Sequence, residues 1–223
     1  MNRKLAEKVE EIKGLTREEL VKMHNCKPEQ ICMGDYIARN TDDKTCPYKV
    51  ILGFADFENS KVISLGDLEV VYGRRLCDLA GPINDIYSRP IYLGVNLKNS
   101  HIFTLNNLKK VYGSLSLNEY IKSMENVEWL GSNLYLNQTR VADLGALKKI
   151  EGRLNLEDMK VKLKSLGKLE EAETVYVDIT GVESLGSLKK VKSVIYGKHC
   201  GTKTKRLFES KFPKYNSENE LEM

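Results

Sequence analysis

The chain has 223 residues, 41% of them hydrophobic and 30% charged, with a formal net charge of +4. That length can bury a sizeable core, and that balance argues against disorder; the mild positive charge permits contact with nucleic acid without demanding it. No run approaches the roughly 18 apolar residues of a membrane-spanning helix, and the charged opening MNRKLAEKVEEIKGLTREEL lacks the apolar core of a signal peptide.

Cysteine usage agrees with this. Five cysteines, an odd number, point to reduced thiols rather than a disulfide framework. The expectation is a cytoplasmic protein with no membrane partner.

Residues 1–45 read as a helical N-terminal cap. Leu5, Val9 and Ile12 share one face of a short charged helix. Thr16-Arg17-Glu18-Glu19 has the capping-box pattern that opens a second helix, running to about His24. Pro28 suits the first turn of a third, expected over Pro28–Arg39. The end coil of a stacked-repeat fold exposes apolar rungs, and these helices are expected to cover them. His24, Cys26, Cys32 and Cys46 are four potential metal ligands, but their C-x₅-C-x₁₃-C spacing lacks the tight knuckle of structural zinc. Small buried thiols are the simpler reading, and no metal or cofactor is assigned.

From residue 46 to about 200 the chain repeats itself. An L-G-x-L phrase and its variants are anchored at Leu65, Leu105, Met124, Leu144, Leu166 and Leu185, with spacings of 40, 19, 20, 22 and 19 residues. A period near twenty means one short unit stacked many times, which is a solenoid. Three columns move with the anchor and stay apolar. Three residues before it they hold Val62, Ile102, Ile121, Val141, Leu163 and Val182. Three residues after it come Leu68, Leu108, Val127, Leu147, Leu169 and Leu188, and six after it Val71, Val111, Leu130, Ile150, Ala172 and Val191. These columns are the expected inner wall. The 40-residue gap is close to two periods, so it suggests a degenerate unit near Ile83 and Ile86 with an insertion around Leu79–Pro90.

Between units lie the alternating stretches Val95-Asn96-Leu97, Leu115-Ser116-Leu117, Leu134-Tyr135-Leu136, Leu154-Asn155-Leu156 and Val175-Tyr176-Val177. Period-two alternation reads as a short strand with one buried face, and successive units should stack these strands in parallel. Just beyond each strand come Ser60, Ser100, Tyr120, Thr139, Met159 and Thr180; a hydroxyl there can bond the backbone of a turn. Gly73, Gly113 and Gly152 mark a second corner, where a Cβ is excluded or φ is positive.

The phrase L-x-x-L-K-K-V-x-G-x-L-x-L, carried by Leu105–Leu117 and Thr139–Leu156, resembles the repeats of receptor L domains and related short leucine-rich-repeat proteins. The resemblance spans roughly residues 48–200. It implies a right-handed β-solenoid of short parallel strands used for protein recognition. Residues 201–223 read as a C-terminal cap: Lys203–Lys211 carries Leu207 and Phe208, Phe212 follows, Pro213 stops the helix, and Asn216–Met223 is an acidic tail.

Four features compete as sites. The strand face should present Asn96, Ser116, Tyr135, Asn155 and Tyr176 in one outward column, with Lys98, Asn118, Asn137, Glu157 and Asp178 beside it. Tyrosine and asparagine on a rigid sheet are good protein-binding groups. Trp129, the single tryptophan, falls in a variable surface slot and would serve as an interface anchor. A lysine row, Lys109-Lys110, Lys148-Lys149 and Lys189-Lys190, could track phosphates. However, Glu69, Glu128 and Glu170-Glu171 interrupt it, and no aromatic residues interleave as a base-stacking platform requires. His199-Cys200 is an adjacent pair with poor geometry for a nucleophile and its base. No phosphate-cradling glycine loop, G-x-S-x-G or H-E-x-x-H is present. The expected function is a non-enzymatic adaptor or inhibitor that binds a larger protein through its solenoid surface, with nucleic-acid binding along the lysine row as the alternative.

Overall fold

The computed structural model describes residues 3–75, 92–178 and 181–213, and shows a parallel β-solenoid of about seven turns with a helix near each end. Each coil contributes two short strands to one continuous sheet. The first stack contains β1 (Ile31–Cys32), β3 (Val50–Ile51), β5 (Val70–Val71), β8 (Lys110–Val111) and β10 (Trp129–Leu130). The second contains β2 (Tyr36–Ile37), β4 (Ala55–Asp56), β7 (Tyr92–Asn96), β9 (Ser114–Ser116) and β11 (Leu134–Tyr135). In the last three coils the two strands fuse across the corner into β12 (Lys149–Asn155), β13 (Glu171–Val177) and β14 (Lys190–Tyr196). A third side is joined only by single parallel bridges, such as Ser123 to Asp143 and Ser165 to Ser184.

The periodic apolar columns point inward as their spacing predicts. Val111, Leu130 and Ile150 are direct partners across neighbouring strands, as are Leu115, Leu134 and Leu154. With the anchor leucines they form one contiguous core, almost wholly shielded from water. The residue after each anchor turns a corner with positive φ: Gly66, Asn106, Glu125, Gly145, Gly167 and Gly186 all lie between 45° and 56°. This is the second role of the L-G-x-L phrase. At Gly145 the requirement is double, because a Cβ would also stand 2.5 Å from the Glu125 carbonyl oxygen.

Three sequence expectations change. First, β5 pairs directly with β8 (Val70 with Lys110), and β4 directly with β7 (Ala55 with Val95). No rung fits between them, so the 40-residue gap holds one unit with an insertion, not two units. β6 (Arg74–Arg75) runs antiparallel to the start of β7 at the base of that insertion. Ile83, Ile86 and the rest of Leu79–Pro90 lie outside the described residues, as do Thr180 and Asn216–Met223.

Second, no third helix forms over Pro28–Arg39. Pro28–Gln30 makes a single 3₁₀ turn, and then β1 and β2 already form a rung. Third, the N-terminal helices α1 (Arg3–Lys13) and α2 (Arg17–His24) pack on the flank of the first rungs rather than only on the end coil. Val9, Ile12 and Leu20 form a separate apolar cluster with Ile31, Val50, Leu52, Val70 and Tyr72. The reason lies in one outward column. Ile31, Val50 and Val70 are apolar where later rungs place Lys110, Trp129, Lys149, Glu171 and Lys190, so the early flank needs a cover. The expected capping box of α2 is present at Thr16 and Glu19, and Arg17 ties the helix to the Ile31 carbonyl at 3.1 Å.

At the other end α3 (Thr202–Lys211) inserts Phe208 into the main core, and the Thr204 hydroxyl donates to the Val182 carbonyl at 3.2 Å. Among the described residues, no helix is long and apolar enough to cross a membrane.

Candidate protein-binding surface

The register brings the expected strand-face column together. Asn96, Ser116, Tyr135, Asn155 and Tyr176 are successive partners on neighbouring rungs, all half-buried. Much of their polarity is turned inward. The Asn96 amide donates to Asp56 (3.1 Å) and Glu58 (2.9 Å), and its oxygen accepts the Lys98 N–H. Asn155 accepts the Glu157 N–H at 2.9 Å, and the Tyr135 hydroxyl accepts from Asn133 at 2.9 Å.

The neighbouring column is more constrained still. Asn118 and Asp178 are buried: Asn118 bonds the backbone of Ser100, Ile102, Tyr120 and Ile121, while Asp178 accepts the His199 N–H. These side chains organise turns. Of the expected turn hydroxyls, Thr139 bonds the Leu136 carbonyl at 2.7 Å, whereas the Ser60 hydroxyl is buried without a partner among the described residues.

Trp129 stands apart from this column. It lies on the flank, in register between Lys110 and Lys149, so one aromatic does interleave with the lysine row. Its half-buried ring packs on Tyr112 (4.8 Å), which stacks on Tyr72 (4.7 Å), whose hydroxyl meets His24 Nε2 at 3.0 Å. This ladder extends the helical clamp along the solenoid. Burial holds the Tyr112 phenol above, and the His24 imidazole below, their ordinary ranges.

Three of the six lysines of the row are paired with carboxylates. Lys109 pairs with Glu69 at 3.4 Å, Lys149 with Glu151 (3.0 Å) and Glu171 (3.2 Å), and Lys189 with Glu170 (3.0 Å). Lys110, Lys148 and Lys190 are exposed. The four residues weighed as metal ligands are divided between two clusters. Cys46 is buried in the main core with Cys32 packed against it, while Cys26 joins the clamp and His24 bonds Tyr72. Burial pushes the Cys46 thiol up to about 12 and raises those of Cys26 and Cys32. The Cys200 thiol is raised for the same reason, which opposes formation of a nucleophilic thiolate.

A surface that the repeat pattern passed over lies on the third side. Phe103 is 56% exposed and Tyr120 39%, and their rings meet at 5.1 Å, tilted by 47°. His101 stacks against Tyr120 at 6.1 Å. Together with Glu119, Lys122 and Arg140, the two large rings line a groove of about 330 Å³. Glu119 is paired with Lys160 at 2.5 Å, and that bond holds its carboxyl below the usual range. Lys122 and Arg140 are exposed and make no ion pair among the described residues.

The sequence signal was available. Phe103 follows the inward Ile102 by one residue, at a position where a strand-like stretch must point outward. Tyr120 stands in the turn column just beyond the strand, and its ring is exposed. Comparisons with protein-family models, with curated proteins and with solved structures found no match.

Proposed function

We propose that the chain is a non-enzymatic protein-binding module, an adaptor or inhibitor of the cytoplasm, that engages a larger protein through its solenoid surface. Its repeats are read as leucine-rich-repeat-like, and its principal contact is the third side around Phe103 and Tyr120. The observation that supports this is the touching pair of exposed aromatic rings beside a groove. Isolated apolar side chains are normal on a surface, whereas clustered ones rimmed by charge mark interaction sites. The strand face, with Tyr135 and Tyr176, is the flanking contact area.

The test is capture of partners from extract of the native host. Replacing Phe103 and Tyr120 together with serine abolishes specific capture, and replacing Tyr135 and Tyr176 with alanine weakens it, with melting temperatures nearly unchanged in both. Undiminished capture by both double variants would overturn the reading.

Nucleic-acid binding along the lysine row is a second reading, favoured by Trp129 between Lys110 and Lys149. The pairing of Lys109, Lys149 and Lys189 weighs against it. A salt titration separates the two, because phosphate contacts lose affinity steeply with ionic strength.

A further inference from the structure

Resting on that reading, we infer that the groove at Phe103–Tyr120 takes an extended acidic segment of the partner protein, with one apolar side chain seated on the rings and carboxylates on Arg140 and Lys122.

The charge argument comes first. Glu119 is the single carboxylate among the groove-lining residues, and its charge is matched by Lys160. Lys122, on the coil of Tyr120, and Arg140, on the next coil, add two cations to the groove; Arg140 also acts electrostatically on Glu119, and neither makes an ion pair within 4 Å among the described residues. Further along the same side, Lys162 and Lys164 are exposed and make no ion pair among the described residues. On the flank, by contrast, Lys109, Lys149, Lys189 and Lys192 each have a carboxylate within 4 Å. The flank also exposes Lys110, Lys148 and Lys190, but the third side is where exposed cations stand beside two exposed aromatic rings. An arginine there can hold a carboxylate in a two-pronged bond, which adds specificity as well as energy.

The shape argument decides between occupants. A single strand of nucleic acid would need ring faces left parallel and open so that successive bases could stack. Here Phe103 and Tyr120 are tilted by 47°, and one neighbour of Tyr120 is already the stacked His101 ring, at 21°. The rings form a wedge rather than a platform. A membrane surface would favour an apolar ridge, whereas these rings line a concavity of about 330 Å³. A peptide in extended form, with alternate side chains on opposite faces, fits a concavity of that kind, placing an apolar group and acidic neighbours at successive positions. Ile63, 54% exposed on an earlier coil, extends the apolar side of the surface.

The experiment pans the full chain against an immobilised library of random peptides of about ten residues, long enough to span several coils. A fluorescent peptide of alternating glutamate and phenylalanine, its glutamine counterpart, an oligo-dT strand and phosphatidylserine vesicles are then titrated by anisotropy or co-sedimentation. Enriched peptides are expected to be net acidic with at least one aromatic or large aliphatic residue. The glutamate peptide binds at least about tenfold more tightly than the glutamine one, and the preference shrinks as salt rises.

Arg140→Glu with Lys122→Glu removes that preference. Phe103→Ser weakens both peptides, while Met23→Ser, at an exposed position of α2, leaves them within about twofold. Circular dichroism and melting temperature show that each variant is folded, and exposed positions make loss of folding an avoidable confusion. Neutral or basic enriched peptides, equal binding of the two synthetic peptides, or tighter binding of the oligonucleotide or vesicles would each overturn the inference. If the Phe103/Tyr120 variant still loses capture of host partners while the acid preference fails, the binding surface stands and its assigned chemistry falls.

Discussion

Asn118 provides the sharpest test of how the turns are built. Its sequence position, one step past the strand, places it in an outward column beside Asn137 and Glu157, yet the side chain is buried. The amide nitrogen reaches the Ser100 carbonyl (3.2 Å), the Ser100 hydroxyl (2.9 Å) and the Ile102 carbonyl (2.8 Å). Its oxygen accepts the N–H groups of Tyr120 (2.9 Å) and Ile121 (3.1 Å). Replacing it with leucine removes all of these bonds. Ile102 and Ile121 are fully shielded from water, so one carbonyl and one N–H there have no obvious substitute partner. At about 1–3 kcal/mol for each buried orphan, offset in part by the added apolar burial, the net cost is about 3 kcal/mol. For a chain of this size that is about 6–12 °C in melting temperature.

Asn118→Asp isolates the donor half. The carboxylate keeps the two acceptor roles but faces three oxygens, so its folded-state pKa should exceed that of the unfolded chain. The native form then binds the extra proton, and this variant loses stability as pH rises above about 4, where the unfolded aspartate ionises first. Asn137, half-buried and linked to Glu157 at a marginal 3.4 Å, is the control; Asn137→Leu should cost less than about 1 kcal/mol. Urea unfolding followed by circular dichroism measures all three. An Asn118→Leu variant within about 1 kcal/mol of the parent would refute the reasoning, because the turn would not depend on that amide.

Two further predictions concern the flank. His24 is held below its ordinary pKa by burial against Tyr72, with Glu69, Lys49 and Lys110 also acting on it. The unfolded chain therefore takes up the proton first, and the stability of the clamp should fall as pH drops below about 6.5; His24→Gln should flatten that part of the melting-temperature profile. Lys149 is partly exposed between Glu151 and Glu171, so Lys149→Met should change stability by less than about 1 kcal/mol in a urea titration, and a larger loss would mean that the row is structural.

The inner wall was readable because each coil repeats the same geometric demand. Val111, Leu130 and Ile150 occupy one buried column, and a column sampled six times stands out from composition. Features that occur once leave no such trace. The first rung consists of only Ile31–Cys32 and Tyr36–Ile37, too short to show alternation, and Pro28 imitates a helix start. The 40-residue gap matched two periods by length alone, whereas strand pairing counts rungs and finds one. The clamp did leave a signal in the outward trio Ile31, Val50 and Val70, but it becomes visible only when the register aligns those residues.

The same logic separates the three sides of the coil as places for function. Outward residues on the strand sides are held by their neighbours: the flank is covered by α1 and α2 or laced by lysine–glutamate pairs, and the strand face is tied into turn backbone through Asn96 and Asn155. A substitution at Asn96 or Asn155 moves stability and binding together. The third side is joined by single bridges, and Phe103 and Tyr120 do not belong to either apolar cluster. An exposed phenylalanine in that position gains little from folding, since most of its area stays in water. Phe103→Ser should therefore leave the unfolding midpoint where it is while altering association, and a marked loss of stability would show that the ring is held by packing rather than presented for contact.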